Sequence, residues 1–340
     1  MRVFVRVLLG GVFACLLLVA GGAGLAYYLN QPTGDASQLD PFRIETGESL
    51  SSIGDRLEGD GFIRSAELLA LLSRYRGTER RFQRGAYQLS RGMSTIDIHD
   101  YLTSGNQVLS TVTIPEGFTA RRIGALLEER GITPADEFQA AITNRGLLDR
   151  LGVLSDTAEG LLYPDTYRFP TDYPAEAVVE HLVDRFFDVV AAIEPEYRAM
   201  NWERLYNAVI LASIVEREYR SPREAPKIAS VFYNRLGEDM RLESCATVVY
   251  VMTEELGLPH PSRLFYRDLE CESPYNTYRH SGLPPSPIAN PGRVALDAAF
   301  HPARTNYRFF VLRGAGAAEH HFSYSLSEHN EAALLYLKTP

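Results

Sequence analysis

The sequence predicts an α+β chain in three parts: an N-terminal transmembrane helix, a small α/β module and a larger α+β domain. Three features lead to this division. An uncharged run opens the chain, strand-turn-helix segments repeat after it, and a helix that is apolar on more than one side lies in the second half. With 340 residues, 45% apolar and 23% charged, there is room for two or three cores. The net charge of -9, with basic residues that are scattered and mostly Arg, argues against nucleic acid as a partner.

No charge occurs from Val7 to Leu29, a run long enough to cross a bilayer as one helix. Arg2 and Arg6 precede it and Asp35 and Asp40 follow, so the N-terminal tip is expected to stay in the cytoplasm. Small residues within Leu18 to Ala23 would suit a cleaved signal peptide, but the apolar run continues to Tyr27, Tyr28 and Leu29, and the two tyrosines form an interfacial belt that favours an uncleaved anchor. V-F-A-C, ending at Cys15, resembles a lipidation motif only loosely. Residues 1–30 are therefore read as tip and anchor, and residues 31–41, polar with Pro32 and Pro41, as a linker.

From Phe42 a pattern recurs: F-R-I-E-T-G-E-S-L-S-S-I, Y-Q-L-S-R-G-M-S-T-I-D-I and V-T-I-P-E-G-F-T-A-R-R-I. Each reads as a strand, a turn at Gly47, Gly92 or Gly117, and a helix capped by Ser49, Ser94 or Thr119. Ile53, Ile98 and Ile123, with Leu57, Leu102 and Leu127, are the expected buried positions. The first copy resembles a LysM module, a small sugar-binding fold, so residues 42–110 are read as LysM-like and residues 111–340 as the second domain.

In that domain Glu159 to Pro170 (E-G-L-L-Y-P-D-T-Y-R-F-P) has loop punctuation but is dense in Tyr, Asp and Thr, which suits a packed corner or the wall of a polar site. A long amphipathic helix is expected over 173–200, ending near Pro195. Then comes Y-N-A-V-I-L-A-S-I-V-E-R-E-Y, Tyr206 to Tyr219, apolar along Ala208, Val209, Ala212, Val215 and along Ile210, Leu211, Ile214. Such a helix belongs between layers. Glu218 continues the second row beyond Ile214, and Glu216 points about 200° away. A carboxyl leaving the core beside apolar groups has its pKa raised and can serve as a general acid. A helix over Ala225 to Gly237 follows, and Met240 to Tyr250 is read as a short strand running into a helix. Ser273 to Gly292 is too long and too rich in Pro to be a mere connection.

Other chemistries find no support. His301, His320, His321 and His329 lack a metal-ligand spacing, Ser213 has no His or Asp in sequence context, and no glycine-rich phosphate loop follows a strand. Neither a metal nor a cofactor is expected.

Four stretches in order, E-G-L-L-Y-P-D-T-Y-R-F, A-S-I-V-E-R-E, A-S-V-F-Y-N-R-L and S-P-Y-N-T-Y-R-H-S-G-L-P-P-S-P-I-A-N-P-G, resemble the endolytic murein transglycosylases of the MltG type over about Val112 to Asn330. The resemblance implies cleavage of peptidoglycan glycan strands between MurNAc and GlcNAc, with 1,6-anhydro-MurNAc ends, outside the cytoplasmic membrane. It assigns Glu218 as the catalytic acid and makes Tyr163, Asp165, Asn276, Tyr278 and Glu216 candidates for binding substrate, with peptidoglycan synthases as candidate partners. Cys245 stands where the family pattern has Asp, and Ser286 where it has Gly. The alternatives are a hydrolytic muramidase using Glu218 with Glu216 or Asp165, and a non-catalytic wall-binding scaffold. On this topology Cys245 and Cys271 lie where disulfides persist, and a bridge between them is expected to close a loop of about 26 residues for roughly 3 kcal/mol.

Overall fold

The computed structural model describes residues 2–45, 47–105, 107–314 and 316–337, with side chains of the first helix from Gly10 onward except Val12. Helix α1 (Arg2–Leu29) is followed by β1 (Leu39–Ile44), α2 (Leu50–Gly59), α3 (Ala66–Arg76), β2 (Gly85–Ser90), α4 (Thr95–Thr103) and β3 (Leu109–Thr113). Next come α5 (Ala120–Glu129), α6 (Ala135–Ala141), α7 (Arg145–Arg150), β4 (Thr166–Pro170), α8 (Ala175–Ile193) and α9 (Trp202–Glu218). The last elements are α10 (Ala225–Gly237), α11 (Cys245–Tyr250), α12 (Arg293–Phe300), β5 (Phe309–Leu312), β6 (His320–Ser323) and α13 (Leu326–Leu337). Among the described residues no helix is long and apolar enough to cross a membrane. The chain forms two compact units, Met1–Ser110 with Phe169–Tyr173, and Thr111–Arg168 with Pro174–Pro340.

In the first unit β1 and β2 pair antiparallel from Leu39 opposite Ser90 to Ile44 opposite Gly85, enclosing a β-α-α-β segment. Alternation sends Phe42, Ile44, Tyr87 and Leu89 into one core with Ile53, Leu57, Leu69, Ile98 and Leu102. Phe42 meets Phe62 edge to face at 5.8 Å. Ser49 and Ser94 accept hydrogen bonds from the amides of Ser52 and Asp97, as the repeated pattern predicts. Gly47 takes φ 75°, a left-handed turn that glycine makes without strain. Gly92 does not: it is needed for space, because a Cβ there would lie 2.4 Å from the Cβ of Ala36.

In the second unit Thr119 caps α5 and Gly117 takes φ 73°, completing the pattern, with Ile123 and Leu127 fully buried. Helix α9 runs through the middle, packed on α10, α11 and α12, with an unbroken buried stretch from Ala208 to Val215. Asn201 caps its start by accepting from the Arg204 amide, and extended backbone at Tyr219 (ψ 147°) ends it at Glu218. Helix α8 stops at Ile193 and a separate 3-10 turn covers Tyr197–Ala199, because Pro195 cannot continue the hydrogen-bond ladder. Among the described residues no strand leads directly into α11. Its place is taken by irregular backbone in which Glu243 adopts φ 52° and donates its amide to the Thr277 carbonyl at 3.2 Å. The hairpin β5–β6 is antiparallel, Phe309 opposite Ser323 to Leu312 opposite His320, and α13 packs on it.

Candidate active site

The site is assembled from the end of α9 outward. Helix α9 delivers Glu218 in its last turn, where the C-terminal end of the helix carries partial negative charge and disfavours a second one. Desolvation raises the pKa of the Glu218 carboxyl, while hydrogen bonding from Ser244 and the positive charges of His320, Arg220 and Arg217 oppose that shift. The Ser244 hydroxyl donates to Glu218 Oε1 at 2.5 Å. A cavity of about 420 Å³ opens beside the carboxyl, lined in part by Ser244, Cys245, Tyr278, Phe309, Phe310 and Asn330. A half-buried carboxyl with a raised pKa, one oxygen fixed by a hydroxyl and aromatic walls nearby, can donate a proton to a bound sugar and take one back.

Each sequence motif fastens one wall. In Y-N-R-L, Tyr233 donates to the Ala299 carbonyl at 2.9 Å and Asn234 to the carbonyls of Thr305 and Tyr307, both at 2.9 Å. Arg235 donates to the carbonyls of Arg241 and Leu242 at 3.0 Å and of Arg308 at 2.6 Å, and pairs with Glu243 at 3.1 Å. One buried guanidinium thus ties the Ser244 approach to the β5 approach. In Y-N-T-Y, Thr277 Oγ1 accepts from the Ser244 amide at 3.0 Å, and Tyr278 meets Cys245 Sγ at 3.1 Å. Asn276 is fully buried and donates to the carbonyls of Leu269 and Cys271, both at 2.8 Å, so it shapes the loop from behind rather than lining the cavity.

The opposite side of α9 holds the proline-rich loop. Ser213 Oγ accepts from the Ile288 amide at 3.0 Å, and Glu216 Oε2 accepts from the Gly292 amide at 2.9 Å. Burial pushes Glu216 up to about 7, with the Glu116 carboxylate adding repulsion. A Cβ on Gly292 would fall 1.9 Å from Glu116 Oε1, so a side chain there would displace the exposed Glu116 carboxyl. Asn290 donates to Glu159 at 2.7 Å and accepts from the Leu162 amide at 2.9 Å, while Glu159 accepts from the Ala120 amide at 2.9 Å. Burial drives Glu159 up to about 8. This pair joins E-G-L-L-Y-P, the start of α5 and P-I-A-N-P-G in one polar knot.

Of the residues singled out in the sequence, Glu218 and Tyr278 share the cavity and Asn276 supports it. Glu216 faces the proline-rich loop. Tyr163 and Asp165 stand together at a corner packed on α8, where Asp165 pairs with Arg185 at 2.9 Å and that guanidinium lies 5.7 Å from the Tyr163 ring centre. The expected disulfide is not formed: Cys245 and Cys271 are free thiols. Cys245 turns its sulfur to Tyr278, and the Cys271 sulfur accepts from Asn276 at 3.4 Å, so each has a polar neighbour other than the other cysteine. Sequence reasoning missed Ser244, Glu159 and Asn290. Ser213, which has no nucleophile's partners in the sequence, is a hydrogen-bonded anchor.

The chain is similar to known proteins in sequence and in fold. The sequence model of the YceG-like family matches residues 42–334. An endolytic murein transglycosylase of Bacillus subtilis (strain 168) is 31% identical over 95% of this chain and 92% of its own length. One from Streptococcus pneumoniae serotype 2 is 27% identical over 88% of this chain, which spans only 59% of that relative. A crystal structure of a yceG-like protein from Listeria monocytogenes is 30% identical, with a TM-score of 0.56, covering 86% of this chain and 99% of that one.

Proposed function

The chain belongs to the YceG-like family, and on that footing we propose that it is an endolytic murein transglycosylase. It cuts peptidoglycan glycan strands internally, between MurNAc and GlcNAc. Glu218 in its protonated form donates to the glycosidic oxygen as the bond from that oxygen to C1 breaks. The carboxylate so formed, with Ser244 donating to it, then accepts the proton of the MurNAc 6-hydroxyl as that oxygen closes on C1, leaving a 1,6-anhydro end with no water added. The observation that carries this reading is the single raised carboxyl beside the cavity. Hydrolases ordinarily use two carboxylates, and the other one on this cavity, Glu243, is engaged by Arg235. Glu216 bonds the proline-rich loop and Asp165 pairs with Arg185, which leaves the muramidase reading without a second acid or base in place.

Phe310 and Tyr278 line the cavity as an apolar and a polar contact for a sugar ring, while Phe309 is stacked on His329 and lies beside the Arg235 guanidinium. The uncharged run of α1 is proposed as a membrane anchor that holds the rest outside the cytoplasm, near peptidoglycan synthases. The first unit is proposed as a LysM-like glycan-binding module. Its support is the enclosed β-α-α-β segment and a polar groove of about 800 Å³ lined by Asp35, Gln38, Asp40, Asp60 and Arg91. Mass spectrometry of products from purified glycan tests the reaction. Anhydro ends, lighter by one water than reducing ends, are expected. Reducing ends would mean a hydrolase, and uncut strands a scaffold.

A further inference from the structure

A second cavity, of about 440 Å³, lies along the N-terminal turn of α5 and the far side of α11, and Arg121, Arg122 and Arg217 all line it. The Glu218 cavity and this one are lined by consecutive residues of α11, Cys245 on the first and Ala246 on the second, which successive helical positions turn about 100° apart. Arg217 is likewise the residue before Glu218. The three guanidiniums are not equally occupied. Arg121 pairs with Glu254 at 2.8 Å and donates to the Thr253 carbonyl at 2.6 Å, both presented by the π-helical turn Val251–Glu255. Arg122 lies over the Phe118 ring at 3.8 Å, and Arg217 reaches only the Gly117 carbonyl at 3.4 Å. Neither makes an ion pair among the described residues. Partial burial and the Arg217 charge both push the Arg122 pKa down, while the Glu254 carboxylate, which also lines the cavity and is paired with Arg121, opposes that shift.

We propose that this cavity binds a carboxylate of the peptide that peptidoglycan carries on the MurNAc lactyl group, so that the preferred substrate is a peptide-bearing strand. This rests on the transglycosylase reading and deepens it. The planar forks of Arg122 and Arg217 suit a carboxylate, Thr119 adds a hydroxyl at the wall, and the flanking Tyr250 supplies an apolar side for a peptide stem. The peptide on the lactyl group of a glycan held at Glu218 would reach this cavity around α11, extending by about 3.3–3.6 Å per residue.

The test compares uncrosslinked peptide-bearing strands with the same strands stripped of peptide by an amidase, using the full chain. Arg122→Gln is expected to raise KM on peptide-bearing strands roughly ten-fold, the scale of one charge-assisted hydrogen bond, and to leave KM on stripped strands unchanged. Arg122→Lys should recover part of the loss. Equal effects on both substrates, or none, would overturn the proposal. A second readout does not depend on cleavage: calorimetric binding of muramyl tripeptide to the Glu218→Gln protein, expected to be saturable and weakened by adding Arg122→Gln. Arg122-dependent binding without cleavage by the unmodified chain would keep the peptide site and reject the transglycosylase reading. Cleavage with Arg122-independent binding would do the reverse.

Discussion

Glu218 and Glu216 are two residues apart on one helix and face different partners, one a serine hydroxyl at a cavity and the other a loop amide. Glu218→Gln keeps the shape but has no proton to give, so cleavage of purified glycan is expected to fall at least about 10²-fold, the scale of a general acid's contribution. Glu216→Gln retains an acceptor for the Gly292 amide and should keep most activity; the reverse order of loss in that assay would reassign the acid. The pH dependence follows from the direction of the Glu218 shift. In the proposed mechanism its acid form is the working form, so kcat/KM should hold through the ordinary carboxylate range and fall as pH rises past the raised pKa. Ser244 donation favours the carboxylate, so Ser244→Ala should move that falling limb to higher pH, readable in a pH-rate profile. The position of Glu218 beside apolar surface was legible from Ile214 one turn earlier. Ser244 was not, because a serine 26 positions away reaches the carboxyl only through the fold of the Leu242 to Cys245 approach.

At the scale of elements, periodicity identified what packs and missed what fastens. The capping serines and threonine, the paired Ile and Leu positions and the buried α9 follow from local spacing. The strand expected before α11 was an error of the same local reasoning: its alternation is overridden by Arg235 and Thr277, which bind the backbone into an irregular path. The Glu159–Asn290 knot joins residues 131 positions apart, beyond any sequence window. Asn290→Ala removes a donor to Glu159 and to the Phe118 carbonyl, and should cost roughly 2–4 kcal/mol in denaturant unfolding. The Glu159 pKa rises from its ordinary 4.5 to about 8 in the fold, so the folded chain holds this proton more tightly than the unfolded one. Its contribution is therefore complete below pH 4.5 and is lost as pH climbs through about 8. Melting temperature should fall over that window in the unmodified protein more than in Glu159→Gln, and parallel curves would refute it.

For the whole molecule, the division into two units sets what can be removed. Deleting residues 1–30 takes away α1 and should leave a chain that still cuts isolated glycan, measured by release of soluble fragments. Deleting through residue 110 is a different operation. Phe169–Tyr173 belongs to the first unit, with Phe169 buried and Asp172 paired to Arg43, so that deletion strands an apolar segment inside the remaining chain. The shorter product is expected to melt lower and aggregate more, visible by light scattering on heating, whereas the 1–30 deletion is not.

The loop between Cys245 and Cys271 is closed by an amide side chain, Asn276, and by two threonine hydroxyls instead of a sulfur bridge. This wall of the Glu218 cavity can therefore form without an oxidant, and no oxidoreductase is required to assemble it. Dithiothreitol should leave both turnover and melting temperature unchanged, so the protein can be refolded and assayed under fully reducing conditions.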